Sequence, residues 1–593
     1  MKSSNMKTDY INPNNINNLH ELFKARVQRT PDKVAYQFYD NELGEWCPVS
    51  WSECNQRVNQ IKNSLQMEML QAGDRVAILS SNSLTWILFE QACLACGFIV
   101  VPLYADDRAE NICYIVNDAE INLLLLEKES HWKILQPHKN ELKRLKRIIS
   151  VEPVRSHNTD RPIISYKDWL NNCNSLHARH DGQASKDDIA SIVYTSGTTG
   201  KPKGVMLSHN NIMQNAWSGV NSIAIYPEDH FLSFLPLSHM LERTVGYYIP
   251  MLSGASVSFS RSITDLAEDL ISQNPSVIIS VPRIFERVYA KVEQTLSAKP
   301  AIVRTLFHYA INTSWEHFRY TQGKRNWKPS FLLHNLFEKL FYTKIKSKFG
   351  SRYRFAISGG APLDFTIAKF FISMGIYIAQ GYGLTETSPV ISVNRLEDND
   401  PDSVGEALPG IQIKTTDKQE LVTRSAMLMS GYWKNEHATT EIIDQEGWLH
   451  TGDKAEIRNN KIYITGRLKD IIVLSNGEKI PPVAIEQAIL KDTVFENVII
   501  IGEQRPFLSA LVVPSESVRD KYRNNLQDLE VLLHQRIKLK MKDFPGYANI
   551  NRIAICETLW TIDNGMLTPT LKPRKQFIID SHFDLIEKLY KGH

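Results

Sequence analysis

Between residues 73 and 126 the chain alternates between short apolar runs and longer helical patterns, and few folds accommodate that rhythm. Gly73-Asp-Arg-Val-Ala-Ile-Leu79 reads as a turn and strand, residues 84–96 as a helix and residues 98–103 as a second strand. Residues 111–117 followed by Ile121-Asn-Leu-Leu-Leu-Leu126 repeat the unit. Strands alternating with helices in this way predict a parallel sheet with helices on both faces. Upstream, residues 19–27 have helical apolar spacing, Thr30-Pro-Asp32 makes a turn, and residues 34–38 alternate like a strand. Ser50-Trp-Ser-Glu53 carries the N-cap and third-position carboxylate of a capping box. The expected class is α/β.

With 593 residues the chain is too long for one core and implies two to four structural units. A composition of 43% hydrophobic and 22% charged residues is that of an ordinary globular protein, and a net charge of +3 offers no basis for a nucleic-acid partner. Seven cysteines, an odd number scattered from Cys47 to Cys556, do not form a disulfide framework and fit a reducing cytoplasm. Cys93 and Cys96 have redox or zinc half-site spacing, but they sit in an apolar run without a second pair and read as buried structural residues. The polar, Asn-rich residues 1–18 lack the pattern of a signal peptide. Residues 84–104 are long enough to span a bilayer, yet Glu90, Gln91, Gly97 and Pro102 favour a buried helix followed by a strand.

The chemistry concentrates in a few motifs. Tyr194-Thr-Ser-Gly-Thr-Thr-Gly-Lys-Pro-Lys-Gly204 follows the apolar run 189–193, so a strand runs into a loop suited to phosphate. Gly197, Gly200 and Gly204 permit positive φ and close backbone approach; Thr195, Ser196, Thr198 and Thr199 add hydroxyl donors; Lys201 and Lys203 supply countercharge. It is not a Walker A loop, because two residues separate Gly197 from Gly200-Lys201 and Pro202 follows the lysine. Taken alone, the run is equally compatible with a flexible surface loop. Residues 231–239 read as a buried strand ending in a polar turn that carries His239, which in isolation is a core histidine. Residues 276–283 read as another buried strand with a proline stop. Phe355-Ala-Ile-Ser-Gly-Gly-Ala-Pro-Leu363 is a strand running into Gly359, Gly360 and Ala361, where a crevice at the carboxyl edge of a parallel sheet is expected. In Tyr377-Ile-Ala-Gln-Gly-Tyr-Gly-Leu-Thr-Glu-Thr387, Tyr382 beside Gly383 can stack a base, Thr385 can meet a phosphate, and Glu386 can hold Mg²⁺. Asp453, in Gly447-Trp-Leu-His-Thr-Gly-Asp453, can accept hydrogen bonds from two ribose hydroxyls. Asn476-Gly477 is a hairpin signal, followed by a helix over 482–490 and strands over 498–501 and 508–513.

In this order, from about residue 20 to 585, these motifs resemble the AMP-forming acyl- and aryl-CoA synthetases, a superfamily shared with luciferases and peptide-synthetase adenylation domains. The resemblance implies the adenylate-forming fold: a large N-terminal domain of mixed and parallel sheets with flanking helices, residues 1–467, and a small mobile α+β lid domain, residues 468–593. It implies that Thr195 to Lys201 with Gly359, Gly360, Ala361 and Gly383 surround ATP. It also puts His239 beside the carboxylate pocket, Tyr382 against adenine, Thr385 on the α-phosphate and Glu386 on Mg²⁺. Asp453 and Arg467 fall on the ribose, Lys469 at the domain hinge, Gly477 in the thioester-forming step, and Lys572 in the place of the catalytic lysine.

Thr568-Pro-Thr-Leu-Lys572 lacks the usual glycine before the lysine and resembles the long-chain fatty acyl subgroup, as does a helical insert over residues 287–354. That insert interleaves basic clusters with aromatic residues, which suits either an anionic lipid surface or a solvated helix face over an apolar stripe. The segment 419–426 lacks the family's glycine before Glu420 and its Gly-Pro after Arg424, and a local loop change is expected there. No carrier-protein serine motif is present. The implied activity joins a long-chain fatty acid to coenzyme A with ATP and Mg²⁺, in the cytoplasm or peripherally on the inner face of a membrane. The alternatives are a ligase that loads acyl carrier protein and a non-catalytic relative that binds nucleotide or lipid; the intact Lys201, Glu386, Asp453, Arg467 and Lys572 argue against the second.

Overall fold

The apolar runs at 75–79, 99–103 and 121–126 form the centre of an eight-stranded sheet in the computed structural model. The structure describes residues 7–154, 163–172, 184–195, 201–468, 470–542, 544–568 and 572–591. Arg75–Leu79 lies between Ile99–Leu103 and Ile121–Leu126, parallel to both, and Arg147–Ser150 and Ile163–Ser165 extend the parallel run. On the other side come Ile189–Thr195, parallel to Ile99–Leu103, and then Lys203–Ser208 and Gly431–Tyr432 in antiparallel pairing. Leu84–Ala95 is a buried helix of 12 residues, too short for a bilayer, and its apolar character reflects packing on all sides. No helix among the described residues is long and apolar enough to cross a membrane. The Ser50–Glu53 capping box forms as the sequence predicts and starts the helix Trp51–Met67.

A second sheet has thirteen strands. Six of them run parallel: Val34–Asp40, Ser256–Phe259, His230–Ser233, Val277–Ser280, Phe355–Ser358 and Ile378–Gly383. Beyond Ile378–Gly383 the sheet continues antiparallel through Val390–Val393, Glu406–Ala407, Lys461–Arg467, Leu449–Arg458, Glu420–Arg424 and Gln412–Thr415. Two sequence expectations are sharpened here. The strand within 231–239 is short, ending at Ser233, and the turn that follows runs over Pro236; the strand within 276–283 stops before Pro282, as expected, and Pro282 then opens the helix Pro282–Ser297, where its fixed φ and missing N–H are tolerated.

Alternate residues of the parallel strands point to opposite faces, and the two faces carry different cores. Phe231 and Ile357 pack with Ile212, Val245 and Ile249, so the helices His209–Val220 and Ile249–Ser253 cover one face. Leu232 and Ala356 pack with Phe307 and Phe371, so Ala301–Thr321 and Phe365–Ser373 cover the other. The predicted helical insert thus forms two long helices followed by short helical turns as far as Phe349.

After Asp470 comes a smaller α+β unit with its own core, including Ile485, Ile489, Val498 and Leu533. Asn476-Gly477 turns the hairpin of Ile472–Val473 and Lys479–Ile480, with Gly477 at φ 87°, and Pro482–Leu490 is helical. The strands Phe495–Ile501, Leu508–Pro514 and Ile550–Ile555 complete it. It meets the rest of the chain through ion pairs from Arg283 to Glu496, 2.9 Å, and from Lys491 to Asp364, 2.7 Å.

Buried titratable groups give this fold a pH signature. Burial pushes the imidazoles of His209 and His230 down to about 4; His209 Nδ1 accepts from Leu19 N–H at 3.2 Å, while His230 bridges the Ser256 and Ser258 hydroxyls. Burial pushes the Glu242 carboxyl up to about 8, and Gly246 makes room for it, since a Cβ there would lie 2.4 Å from Glu242 Oε1. Unfolded histidines take a proton near pH 6.5, so their contribution is lost as pH falls from 6.5 towards 4. The folded Glu242 retains a proton that the unfolded chain gives up near 4.5, so stability is also lost as pH rises from 4.5 through 8. Calorimetric scans are expected to show maximal stability near pH 6.5, and Glu242→Gln is expected to gain roughly 2–4 kcal/mol over wild type at pH 8 but nothing below pH 4.5.

Candidate active site

A cleft of about 2110 Å³ opens where the carboxyl ends of both sheets face the C-terminal unit. Thr195 ends one strand and pairs with Lys203 across the hairpin; Lys201 lies with its ammonium 5.1 Å from the centre of the Tyr114 ring. Gly204 is needed by packing, because a Cβ there would come within 2.7 Å of Ile192 Cγ2 and 3.2 Å of Trp433 Cβ. Ser196, Gly197, Thr198, Thr199 and Gly200 lie outside the described residues, as does Lys469.

Across the cleft, Phe355–Ser358 ends in Gly359, Gly360 and Ala361, with Gly360 at φ 79°. Ile378–Gly383 delivers Tyr382 and Gly383 to the same edge, and Thr385 and Glu386 follow in a short helical turn. The turn comes back so tightly that a Cβ on Gly383 would lie 1.8 Å from Pro389 O. Asp453 is the hub of the wall. It accepts from Tyr382 OH on Oδ2 at 2.5 Å and from Arg467 Nε on Oδ1 at 2.9 Å, and it is itself buried. Burial first, and then the Asp453 carboxylate, holds the Tyr382 hydroxyl well above its usual pKa. Arg467 is raised, its desolvation outweighed by Asp453.

His239 lines the cleft rather than the core, and its Nδ1 accepts from Leu241 N–H at 3.2 Å. Burial, then the nearby Lys572, pushes it down to about 4, so at neutral pH it is uncharged with its proton on Nε2, a donor. Lys572 enters from the C-terminal unit. Thr568 and Lys572 exchange two hydrogen bonds, at 2.8 and 3.0 Å, which fold the chain back and point the ammonium into the cleft. The side chain stays open to cleft solvent, yet protein surrounds it on most sides; burial, then Arg467, lowers its pKa against the pull of Asp453. Gly477 does not line the cleft and stands on an exposed hairpin.

Two positioning residues lie outside the expected site residues: Tyr432 carries no motif, and Glu420 figures in the sequence only as the glutamate of a segment expected to change. Tyr432 donates to Glu386 Oε1 at 2.7 Å and sits under the Lys203 ammonium, 5.1 Å from the ring centre. It reaches that place because Gly431–Tyr432 pairs with Val205 and Met206, a contact that no local pattern announces. Glu420 accepts from Gly452 N–H at 3.0 Å and bonds His450 Nδ1 at 2.9 Å, fixing the turn that presents Asp453. In the segment around residue 419, where a local loop change is expected, Gln419 takes φ 61°, the conformation a glycine would favour, and Glu420–Arg424 pairs with Leu449–Arg458. From the polar wall an apolar arm runs inward, lined by Ile223, Phe231, Leu241, Val245, Ile249 and Ile357.

A strand leading towards Lys201, an aromatic residue hydrogen-bonded to a carboxylate, a lysine brought in by a second unit, and an apolar arm suit a nucleotide-using enzyme that also accommodates an apolar group. The family model described as AMP-binding enzyme matches residues 23–433, and that described as AMP-binding enzyme C-terminal domain matches 469–593. The chain belongs to the AMP-binding enzyme family. It is 30% identical over 580 residues to the long-chain-fatty-acid–CoA ligase FadD15 of Mycobacterium bovis, covering 94% of this chain and 95% of the relative. It is 27% identical to the chloroplastic long-chain-fatty-acid–[acyl-carrier-protein] ligase AEE15 of Arabidopsis thaliana, covering 96% and 86%. The adenylation domain of a carboxylate reductase from Mycobacterium chelonae superposes with a TM-score of 0.77 at 19% identity, covering 97% of this chain and 91% of that one, so the adenylate-forming α/β fold is the one expected.

The crowding at Gly383 provides a direct check on this wall. Gly383→Ala is expected to lower the melting temperature, at a cost of roughly 1–3 kcal/mol, whereas Gly546→Ala, with no atom within 4 Å of the added Cβ, should melt like wild type.

Proposed function

We propose that the protein activates a long-chain fatty acid with ATP to acyl-AMP and then transfers the acyl group to coenzyme A, releasing AMP and pyrophosphate. The observation that carries this reading is the entry of Lys572 into a cleft whose polar wall holds Tyr382, Asp453 and Arg467 and whose other arm is apolar. The first half-reaction forms a bond between a carboxylate oxygen and the α-phosphorus and breaks the bond to pyrophosphate. In the second, the CoA sulfur attacks the acyl carbonyl carbon and AMP leaves.

Tyr382 would meet the adenine face, with Gly359, Gly360, Ala361 and Gly383 allowing close backbone approach. Asp453 would exchange its present partners for ribose hydroxyls, with Arg467 alongside. Thr195, Lys201 and the intervening loop would take the β- and γ-phosphates. Thr385 would meet the α-phosphate, and His239, neutral with Nε2–H free to donate, would orient the fatty carboxylate. Lys572 would place its positive charge between carboxylate and α-phosphate, where charge develops. The donor set fits a magnesium ion: Glu386 offers one carboxylate, oriented by Tyr432, and Mg²⁺ commonly takes one or two carboxylates together with substrate phosphates. When bound, that ion would offset the charge of the departing pyrophosphate.

We place the domain boundary at 467/468, with residues 1–467 holding ATP and the acyl group and 468–593 acting as a lid that turns about Lys469. Gly477, exposed outside the cleft in this arrangement, would approach once Lys572 withdraws for the thioester step. No disulfide links the six described cysteines, which supports a cytoplasmic setting. A second reading, transfer to acyl carrier protein, is favoured by the likeness to the Arabidopsis long-chain-fatty-acid–[acyl-carrier-protein] ligase.

Pyrophosphate release, followed with carboxylic acids from acetate to oleate and with or without CoA, is expected to be strongest with the long acids and to yield acyl-CoA; thioester appearing only on a carrier protein would select the second reading. Lys572→Ala should lose adenylation by at least about 100-fold while turning over preformed acyl-AMP nearly normally, and equal loss of both halves would remove the role given to Lys572. Lys469→Pro should block rotation and accumulate enzyme-bound acyl-AMP; undiminished overall turnover would count against the hinge.

A further inference from the structure

The face of the second sheet opposite the apolar arm is covered by the insert, and the insert's outer surface is unlike the rest of the molecule. Nine of the 23 exposed large hydrophobic side chains among the described residues lie between positions 302 and 340. Apolar side chains on a free surface are normally scattered singly. Here they fall in two rows. Ile302, Leu306 and Tyr309 recur at one-turn spacing along Ala301–Thr321, outside the buried stripe of Phe307, Ala310 and Ile311. Leu332, Leu336 and Leu340 recur in the same way along the next helical stretch, outside Phe331 and Phe337. The rows lie side by side, since Tyr309 meets the Phe337 ring edge-on at 6.1 Å and Phe307 meets Phe341 at 5.5 Å. Ile302 is 78% exposed and Leu332 is 74% exposed, so these are outward-directed tips rather than the rim of a core.

The charge around the rows has one sign. Residues 299–348 contain ten lysines and arginines against two acids, Glu316 and Glu338, in a chain whose overall balance is +3. Both acids are already engaged: Glu316 with Arg325 and Lys328 at 3.1 and 3.5 Å, Glu338 with Lys346 at 2.5 Å. Arg304, between Ile302 and Leu306, and Lys339 and Lys344, flanking Leu340, have no carboxylate partner among the described residues. Trp327, 53% exposed, sits on the loop between the two rows, an aromatic residue of the kind favoured at a membrane–water interface.

We infer that this surface is a docking face for an anionic lipid bilayer, with the leucine and isoleucine tips entering the headgroup boundary and Arg304, Lys339 and Lys344 meeting lipid phosphates. Apolar tips within a basic rim match both components of such a surface, and neither component suits bulk water. A helix lying on the bilayer is compatible with the absence, among the described residues, of any helix able to cross one. The choice of lipid as partner rests on the proposed fatty-acid activation, because the acyl substrate partitions into membranes; the geometry and charge of the face do not depend on that reading.

The test is co-sedimentation of the full chain with phosphatidylglycerol-rich vesicles and with pure phosphatidylcholine vesicles. Wild type is expected to bind the anionic vesicles, with salt weakening the binding, and to bind the neutral ones at least about tenfold less well. Leu332→Ser/Leu336→Ser/Leu340→Ser and, separately, Lys339→Glu/Lys344→Glu should each cut binding to anionic vesicles at least about tenfold. All five positions are exposed and outside the cleft, so pyrophosphate release with a micellar-free medium-chain acid should be unchanged in both variants. Wild type that binds neither vesicle, or variants that bind as well as wild type, would overturn the inference. So would a wild-type dimer, seen by light scattering, that the leucine variant dissociates while vesicle binding is absent, since the face would then be covered by a second copy. Vesicle binding without pyrophosphate release would instead count against the proposed catalysis and leave the docking face standing.

Discussion

A fully buried ion pair between Glu90 and Arg243 ties the two halves of the N-terminal region together, and the cleft depends on it. Glu90 belongs to the helix Leu84–Ala95 of the first sheet, and Arg243 to the turn before Ile249–Ser253, which covers the second. Arg243 also donates to Ser191 Oγ at 2.8 Å, on the strand that leads into the Thr195 loop, and lies 5.5 Å from the Trp86 ring. One guanidinium therefore fixes the phosphate-side strand relative to the segment bearing His239, Leu241 and Val245. Removing either partner leaves an uncompensated buried charge, which typically costs about 3–5 kcal/mol. Both faces of the cleft would loosen together.

The electrostatics of the cleft follow from crowding cations round one carboxylate. Asp453 faces Arg467 directly and Lys572 at longer range; burial, then Arg467, lowers the lysine's pKa against the pull of Asp453, while the arginine's desolvation is outweighed by Asp453, which raises it. A lysine less content with its proton beside an arginine is well placed to gain most when negative charge arrives or develops nearby. His239 completes this arrangement as a neutral donor, because burial first, and then the charge of Lys572, disfavours its protonation. Tyr432 and Glu420 act one step back, by holding Glu386 and the Gly452 turn.

The second sheet separates the molecule's two apolar tasks. Phe231 and Ile357 face the arm that receives the apolar group, whereas Leu232 and Ala356 face the helices of the insert. Period-two alternation along four-residue strands is enough to assign one side to the substrate and the other to the surface that we infer meets lipid.

Where local pattern suffices, the sequence is a faithful guide. The Ser50–Glu53 box, the Asn476-Gly477 hairpin, the helix over 482–490 and the parallel strands over 75–126 each depend on residues within a few positions of one another. The motif around Tyr382 was legible as chemistry for the same reason, whereas Lys572 came only from the family resemblance, because its own stretch reads as an ordinary turn followed by basic residues. Position in space was not legible: residues 231–239 read as a strand and polar turn, but neither the strand's early end at Ser233 nor the turn's delivery of His239 to the cleft could be read from them. The roles of Tyr432 and Glu420 were not legible because they come from strand pairings with residues far along the chain. The sequence by itself determined the fold class, the order of the elements and the residue types that handle nucleotide. The tertiary structure decided which of them share one cleft, which ionisation states burial imposes, and that the insert's apolar rows point outward, because these depend on long-range packing and desolvation that neighbouring residues do not encode.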